Sequence, residues 1–155
     1  MIDVGGAQAP REGALAVVPC LNERDSIAGV IAAILDDPDW PDPLVVVADG
    51  GSTDGSLELA GGIAAADPRV RLVRNPARLQ SAGVNAAAER FGGGRRWMVR
   101  VDAHSLYPRG YVSALVAEAE SVATAASVVV SIETKGEGAF QRAVAFAQNA
   151  RLGTG

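Results

Sequence analysis

At 155 residues, 48% of them hydrophobic and 21% charged, the chain is long and apolar enough to bury one core and is not a disordered segment. A formal net charge of −4 supplies no broad positive field, so no nucleic acid is expected as a partner. No apolar run approaches the roughly 18 residues of a membrane span, the start lacks a secretory pattern, and one cysteine, Cys20, forms no internal disulfide, so a reducing, cytoplasmic setting is expected.

Residues 1–13 are rich in Gly, Ala and Pro without a period and read as a flexible leader, with residues 14–155 as one domain. Ala14 to Pro19 is a short apolar run and the first expected strand. Ile27, Val30, Ile31, Ile34 and Leu35 then recur at helical spacing, with Ser26 placed to cap the start and Pro38 beyond the end. A strand from Leu44 to Asp49 follows, then a helix near Ser56 to Ala66 with Leu59, Ile63 and Ala66 on one face, then a strand from Val70 to Arg74. Beyond these the pattern predicts a helix over Ser81 to Phe91, a strand over Trp97 to Asp102, a helix over Arg109 to Ser121 and an apolar strand over Ser127 to Ile132. The last stretch sets Phe140, Val144 and Ala147 on one helical face.

Strands that are apolar throughout and separated by helices belong to a parallel sheet covered on both faces, so the expected fold is an α/β sandwich. Ligands bind such sheets at the carboxyl ends of the strands. Those ends carry Pro19-Cys-Leu-Asn-Glu23, Asp49-Gly-Gly-Ser-Thr-Asp54 and Asp102-Ala-His-Ser105.

The glycines after Asp49 let the backbone approach a ligand, with Asp49 facing the strand-end crevice. Equally, Asp, Ser, Thr and Gly build a turn and cap the next helix without a ligand, and for Asp54 and Ser56 that reading is at least as good. Asp102 and His104, two residues apart, can meet one divalent ion if the loop turns tightly, and oxygen with nitrogen suits manganese more than calcium. Taken alone, such a pair is more often a cap and a solvent-facing ring. Asn22 and Glu23 can bond neighbouring backbone as readily as a ribose. Cys20 reads as a packing residue. No GxGxxG follows a strand and no GxxxxGK[ST] is present, which weighs against a dinucleotide fold or a phosphate loop.

In order, Pro19-x-x-Asn22-Glu23, Asp49 to Gly55, Asn75-Pro with Gln80 to Asn85, and Asp102-Ala103-His104 resemble family 2 glycosyltransferases. Val99 to Pro108, Phe140 to Asn149 and Leu152 to Gly155 are further similar to the succinoglycan-biosynthesis glucosyltransferase subgroup. The resemblance implies a GT-A, Rossmann-like α/β/α sandwich with a mostly parallel sheet, truncated before its acceptor-binding part. It implies an inverting transfer of a hexose, glucose by subgroup, from a UDP-sugar to a glycan or lipid-linked acceptor at the membrane surface in exopolysaccharide synthesis. The full-length protein would then work at the inner face of the membrane.

The same resemblance implies that Pro19, Asn22, Glu23 and Asp49 surround the uridine, together with Gln80, Asp102 and Ala103 in nucleotide binding. Asp102 and His104 would hold Mn2+ or Mg2+ at the diphosphate. Two departures stand out: Gly50 replaces an acid beside Asp49, and His104 replaces the third acid of the DxD-type motif. The general base is expected beyond Gly155, and Glu133 and Glu137 are not nominated for it. A second reading is a nucleotide-sugar-binding module without turnover. A third, a sugar-phosphate nucleotidyltransferase, needs a Gly-rich basic loop after the first strand, where this chain has Pro19-Cys-Leu-Asn-Glu23.

Overall fold

The computed structural model describes residues 13–122, 124, 126–130 and 138–149. The chain forms two compact units, Met1–Val122 and Ala123–Gly155. The first contains β1 (Ala14–Cys20), α1 (Arg24–Leu35), β2 (Val45–Asp49), α2 (Ser56–Ala66), β3 (Val70–Arg74), α3 (Gln80–Phe91), β4 (Trp97–Arg100) and α4 (Tyr111–Ser121). In the second, the described residues include α5 (Ala139–Gln148), at whose start Gln141 Oε1 accepts the Gly138 N–H at 3.0 Å.

All four strands are parallel, in the order β3-β2-β1-β4. Alternate residues of β1 fill two cores. Ala14, Ala16, Val18 and Cys20 pack with Val45, Val47 and the buried face of α1, Ile27, Val30, Ile31 and Ile34, and the same core reaches α2 and α4. Leu15 and Val17 pack on the other side with Val46, Ala48 and Ala87 of α3. Burying both faces explains why β1 and β2 are apolar without alternation. Gly83 is where α3 comes closest to the sheet: a Cβ there would lie 3.0 Å from Ala48 Cβ and 2.9 Å from Asn75 Nδ2.

The chain runs outward from β1 through β2 to β3 on one face, then returns beneath the sheet through α3 to place β4 beside β1. That reversal is the topological switch point, and it opens a crevice at the carboxyl ends of β1 and β4.

Several boundaries differ from the sequence pattern, each for a local reason. Helix α1 starts at Arg24, so Ser26 lies inside its first turn and is not the cap. The Glu23 carbonyl begins the helix by accepting the Ile27 N–H at 2.9 Å, and the Ser26 hydroxyl turns back to Glu23 Oε2 at 2.9 Å. Helix α4 starts at Tyr111, because Gly110 adopts a left-handed φ of 75° that no helix continues through. Strand β4 stops at Arg100, since the Asp102 N–H leaves the ladder for the Tyr107 hydroxyl at 2.7 Å. Ala66 is exposed rather than on the packed face of α2, which presents Leu59, Ala60 and Ile63.

Of the strand expected over Ser127 to Ile132, residues 127–130 form no strand, and Val129 is 91% exposed. Apolar β-branched residues suit a strand, but only a paired neighbour makes one, and no described strand pairs with them. Residues 131 and 132 lie outside the described residues, as do 1–12 of the expected leader. Phe140 and Ala147 are in α5, whose described Val144 is 38% exposed. No helix among the described residues is long and apolar enough to cross a membrane.

Candidate functional site

The loop after β2 is built by its own carboxylates. Asp49 is buried, and its Oδ1 accepts the N–H groups of Gly51 at 2.8 Å and Ser52 at 3.1 Å, while Oδ2 accepts the Ser52 hydroxyl at 2.5 Å. The side chain therefore turns onto its own loop, not into the crevice expected from the sequence. Asp54 sits between two helix starts. Its Oδ2 accepts the first N–H of α1, from Arg24, at 3.0 Å, and its Oδ1 accepts the first N–H of α2, from Ser56, at 2.9 Å. The Ser56 hydroxyl at 2.6 Å, then these amides, hold the Asp54 carboxyl down at about 2. Two helix N-termini favour the same negative charge. The turn-and-cap reading thus describes Asp54 and Ser56.

The loop after β1 is clasped to this frame. Asn22 takes a left-handed φ of 57°, its N–H donates to Ser52 Oγ at 2.9 Å, and its Oδ1 accepts the Thr53 N–H at 2.8 Å. The Glu23 N–H donates to Ser56 Oγ at 2.8 Å. Asn22 therefore bonds neighbouring backbone, one of the two roles its residue type allowed.

At the switch point these loops enclose a cavity of about 310 Å³. Pro19, Glu23, Gln80, Asp102, Ala103 and His104, all named from the sequence, line it together, whereas Asn22 and Asp49 support it from behind. Cys20, Gly50 and Asn75, which lie in the motifs but were not nominated as site residues, and Arg78, which was missed, also line it. Arg78 is the cation of this lining, held at a left-handed φ of 57° with its guanidinium against Gly51, where a Cβ would lie 3.6 Å from Nη2. The signal for it was available: Asn75 to Arg78 follow β3, a strand end of the same parallel sheet, and strand ends are where ligands bind. Asn75 anchors that loop, its Nδ2 donating to the Leu79 carbonyl at 2.9 Å and its N–H to the Asp49 carbonyl at 2.7 Å.

On the β4 side, the Tyr107 hydroxyl accepts the Asp102 N–H at 2.7 Å and donates to the Asp102 carbonyl at 3.2 Å, pinning the turn that presents Asp102, Ala103 and His104. Burial raises the Tyr107 phenol above its ordinary value, so it stays protonated and able to donate. Arg100 Nε lies 3.4 Å from Asp102 Oδ1. His104 Nδ1 lies 2.9 Å from Glu23 Oε1, bridging the β1 and β4 loops across the rim. Among the described residues no three His, Cys, Asp or Glu side chains cluster to hold a metal by themselves. Burial, then the Asp49 charge, raises the Cys20 thiol.

The cavity therefore offers one cation, two carboxylates, an imidazole and two amides, those of Asn75 and Gln80, to a polar ligand. The family described as Glycosyl transferase family 2 matches residues 15–152. Over 142 residues the chain is 47% identical to the succinoglycan biosynthesis protein ExoA of Rhizobium meliloti (strain 1021), covering 91% of this chain and 42% of that protein. Among solved structures it is similar to the mannosyltransferase PcManGT from Pyrobaculum calidifontis, in complex with GDP-Man and Mn2+. The TM-score is 0.57 and the identity 25%, over 76% of this chain and 34% of that one. The chain thus spans less than half the length of either protein. The parallel α/β sheet is GT-A-like, and the chain belongs to glycosyl transferase family 2.

Proposed function

We propose that the chain forms the donor site of an inverting hexosyltransferase that moves a hexose, glucose, from a UDP-sugar to a glycan or lipid-linked acceptor at a membrane surface. The observation that carries this reading is the convergence of Pro19, Glu23, Gln80, Asp102, Ala103 and His104 on one switch-point cavity, with Arg78 added as a cation. The similarity to a succinoglycan biosynthesis protein supports exopolysaccharide as the setting.

Donor binding divides between the two ends of the cavity. Backbone and side chains of the β1, β2 and β3 loops form the wall for the nucleoside, and Arg78 and Gln80 supply hydrogen-bond donors there. The Asp102 turn, pinned by Tyr107, forms the diphosphate end. A divalent ion, Mn2+ or Mg2+, fits this donor set as one shared with its substrate: Asp102 offers oxygen and His104 nitrogen, and diphosphate oxygens and waters complete such spheres. Bound there, it supplies Lewis-acid neutralisation of the leaving diphosphate. Transfer also needs a base for the acceptor hydroxyl.

A second reading, donor binding without turnover by this chain, is favoured by one observation. Both carboxylates lining the cavity are engaged, Glu23 with Ser26 and His104 and Asp102 with Arg100. Glu133 and Glu137 lie outside the described residues.

The test measures binding and transfer separately. Calorimetry should give tighter UDP binding with manganese than without, and Asp102→Ala should erase the difference. Incubation with UDP-glucose, manganese and a lipid-linked or oligosaccharide acceptor, followed by mass spectrometry, then separates the readings. Glycosylated product selects turnover, and binding without product selects the second reading. No UDP binding at all sinks both.

A further inference from the structure

Glu23 and His104 belong to loops that follow different strands, and Glu23 Oε1 meets His104 Nδ1 at 2.9 Å. A carboxylate only accepts, so the shared proton belongs to Nδ1. The carboxylate is itself fixed, since Oε2 accepts the Ser26 hydroxyl at 2.9 Å and the Glu23 N–H is bound to Ser56 Oγ at 2.8 Å. In the neutral ring the proton on Nδ1 leaves the electron pair on Nε2.

The His104 side chain is 65% exposed, and ion pairs in such surroundings contribute little to stability. Both oxygens of the Glu23 carboxylate are already engaged, Oε1 with His104 Nδ1 and Oε2 with the Ser26 hydroxyl. Any influence it has on an ion therefore passes through the imidazole. A carboxylate behind a ligating histidine fixes its tautomer and ring orientation and raises its basicity.

We propose that Glu23 is a positioning residue: its bond to Nδ1 selects the His104 tautomer whose Nε2 donates an electron pair to the divalent ion accompanying a nucleoside diphosphate. This rests on the donor-site reading above. It also gives a physical role to the imidazole that stands where the family more often has an acid. An imidazole brings no negative charge of its own, and the Glu23 carboxylate behind it supplies one.

His104 is the sole histidine of the chain, so its two ring nitrogens are read without ambiguity by 15N NMR. In the metal-free wild type with the ring neutral, Nδ1 should carry the proton and Nε2 none. Glu23→Ala should move the proton toward Nε2, whereas Glu23→Gln, which keeps the accepting oxygen, should retain the wild-type tautomer. The ratio of UDP affinities with and without manganese should fall about 10- to 100-fold in Glu23→Ala and by less in Glu23→Gln, which keeps the accepting oxygen but not the charge. Asp102→Ala should lose the ratio while keeping the tautomer, and circular dichroism confirms that each variant is folded. A proton on Nε2 in the wild type overturns the proposal, as does a Glu23→Ala ratio equal to the wild-type one. UDP binding by the wild type with no manganese effect overturns it and leaves the donor-site reading standing. No UDP binding in either condition removes the donor-site reading and the proposal with it.

Discussion

Asn22 Oδ1 accepts the Thr53 N–H at 2.8 Å, joining the loop after β1 to the loop after β2 through a side chain 31 positions away. The same residue tolerates a φ of 57°, a conformation asparagine adopts more readily than most residues. Asn22→Ala should therefore lose the clasp and strain the turn, costing about 1–3 kcal/mol. Asn22→Gly should cost less, because it relieves the backbone while losing the same bond. Urea unfolding of the two variants checks the order, and equal costs would mean that the backbone conformation contributes nothing.

Arg78 makes no side-chain ion pair with a described residue, although it lines the cavity. A guanidinium with no ion-pair partner among the described residues is available to carbonyl or phosphate oxygens of a ligand. Arg78→Ala should weaken UDP binding by about 10- to 100-fold, the range of a hydrogen bond to a charged group, without shifting the urea midpoint. Unchanged affinity by calorimetry would remove Arg78 from the donor site.

The Asp54 carboxyl lies at about 2 against an ordinary 3.8, chiefly through the Ser56 hydroxyl. A depressed carboxyl adds stability that is fully present above its unfolded pKa and is lost as pH falls through the folded one. Wild-type stability should accordingly fall as pH drops from 3.8 to about 2. Asp54→Asn should be less stable at neutral pH and show a shallower decline across that window. Urea midpoints against pH for both proteins decide this, and parallel acid limbs would show that Asp54 does not carry the effect.

Cys20 is buried, and its thiol is raised first by burial and then by the nearby Asp49 charge. Since the thiolate is the reactive form, alkylation by iodoacetamide near neutral pH should be slow in the folded protein and fast in urea. Because Cys20 also lines the cavity, UDP with manganese should slow it further. Mass spectrometry of timed samples reads the rate, and protection by manganese alone would point to stabilisation rather than to occupancy of the cavity.

Much of the fold was legible in the residues themselves. The unbroken valines of β2 and the helical spacing of Ile27, Val30, Ile31 and Ile34 report burial directly, because solvent exclusion acts on every residue of an element. Element ends were less legible. A single group decides each of them, such as the Tyr107 hydroxyl that draws Asp102 out of β4 or the left-handed Gly110 before α4.

The strand-end motifs also identified most of the cavity, because a parallel sheet brings the carboxyl ends of its strands together wherever they fall in sequence. Only the tertiary structure decided which polar groups face the cavity and which hold the loops. Asp49 and Glu23 are both acids at the carboxyl end of a strand, yet Asp49 is spent on Gly51 and Ser52 while Glu23 reaches His104 on the neighbouring loop. That choice depends on which donors lie within about 3 Å of each oxygen. Such distances are set by the parallel pairing of β1 with β2 and β4 and not by residue type.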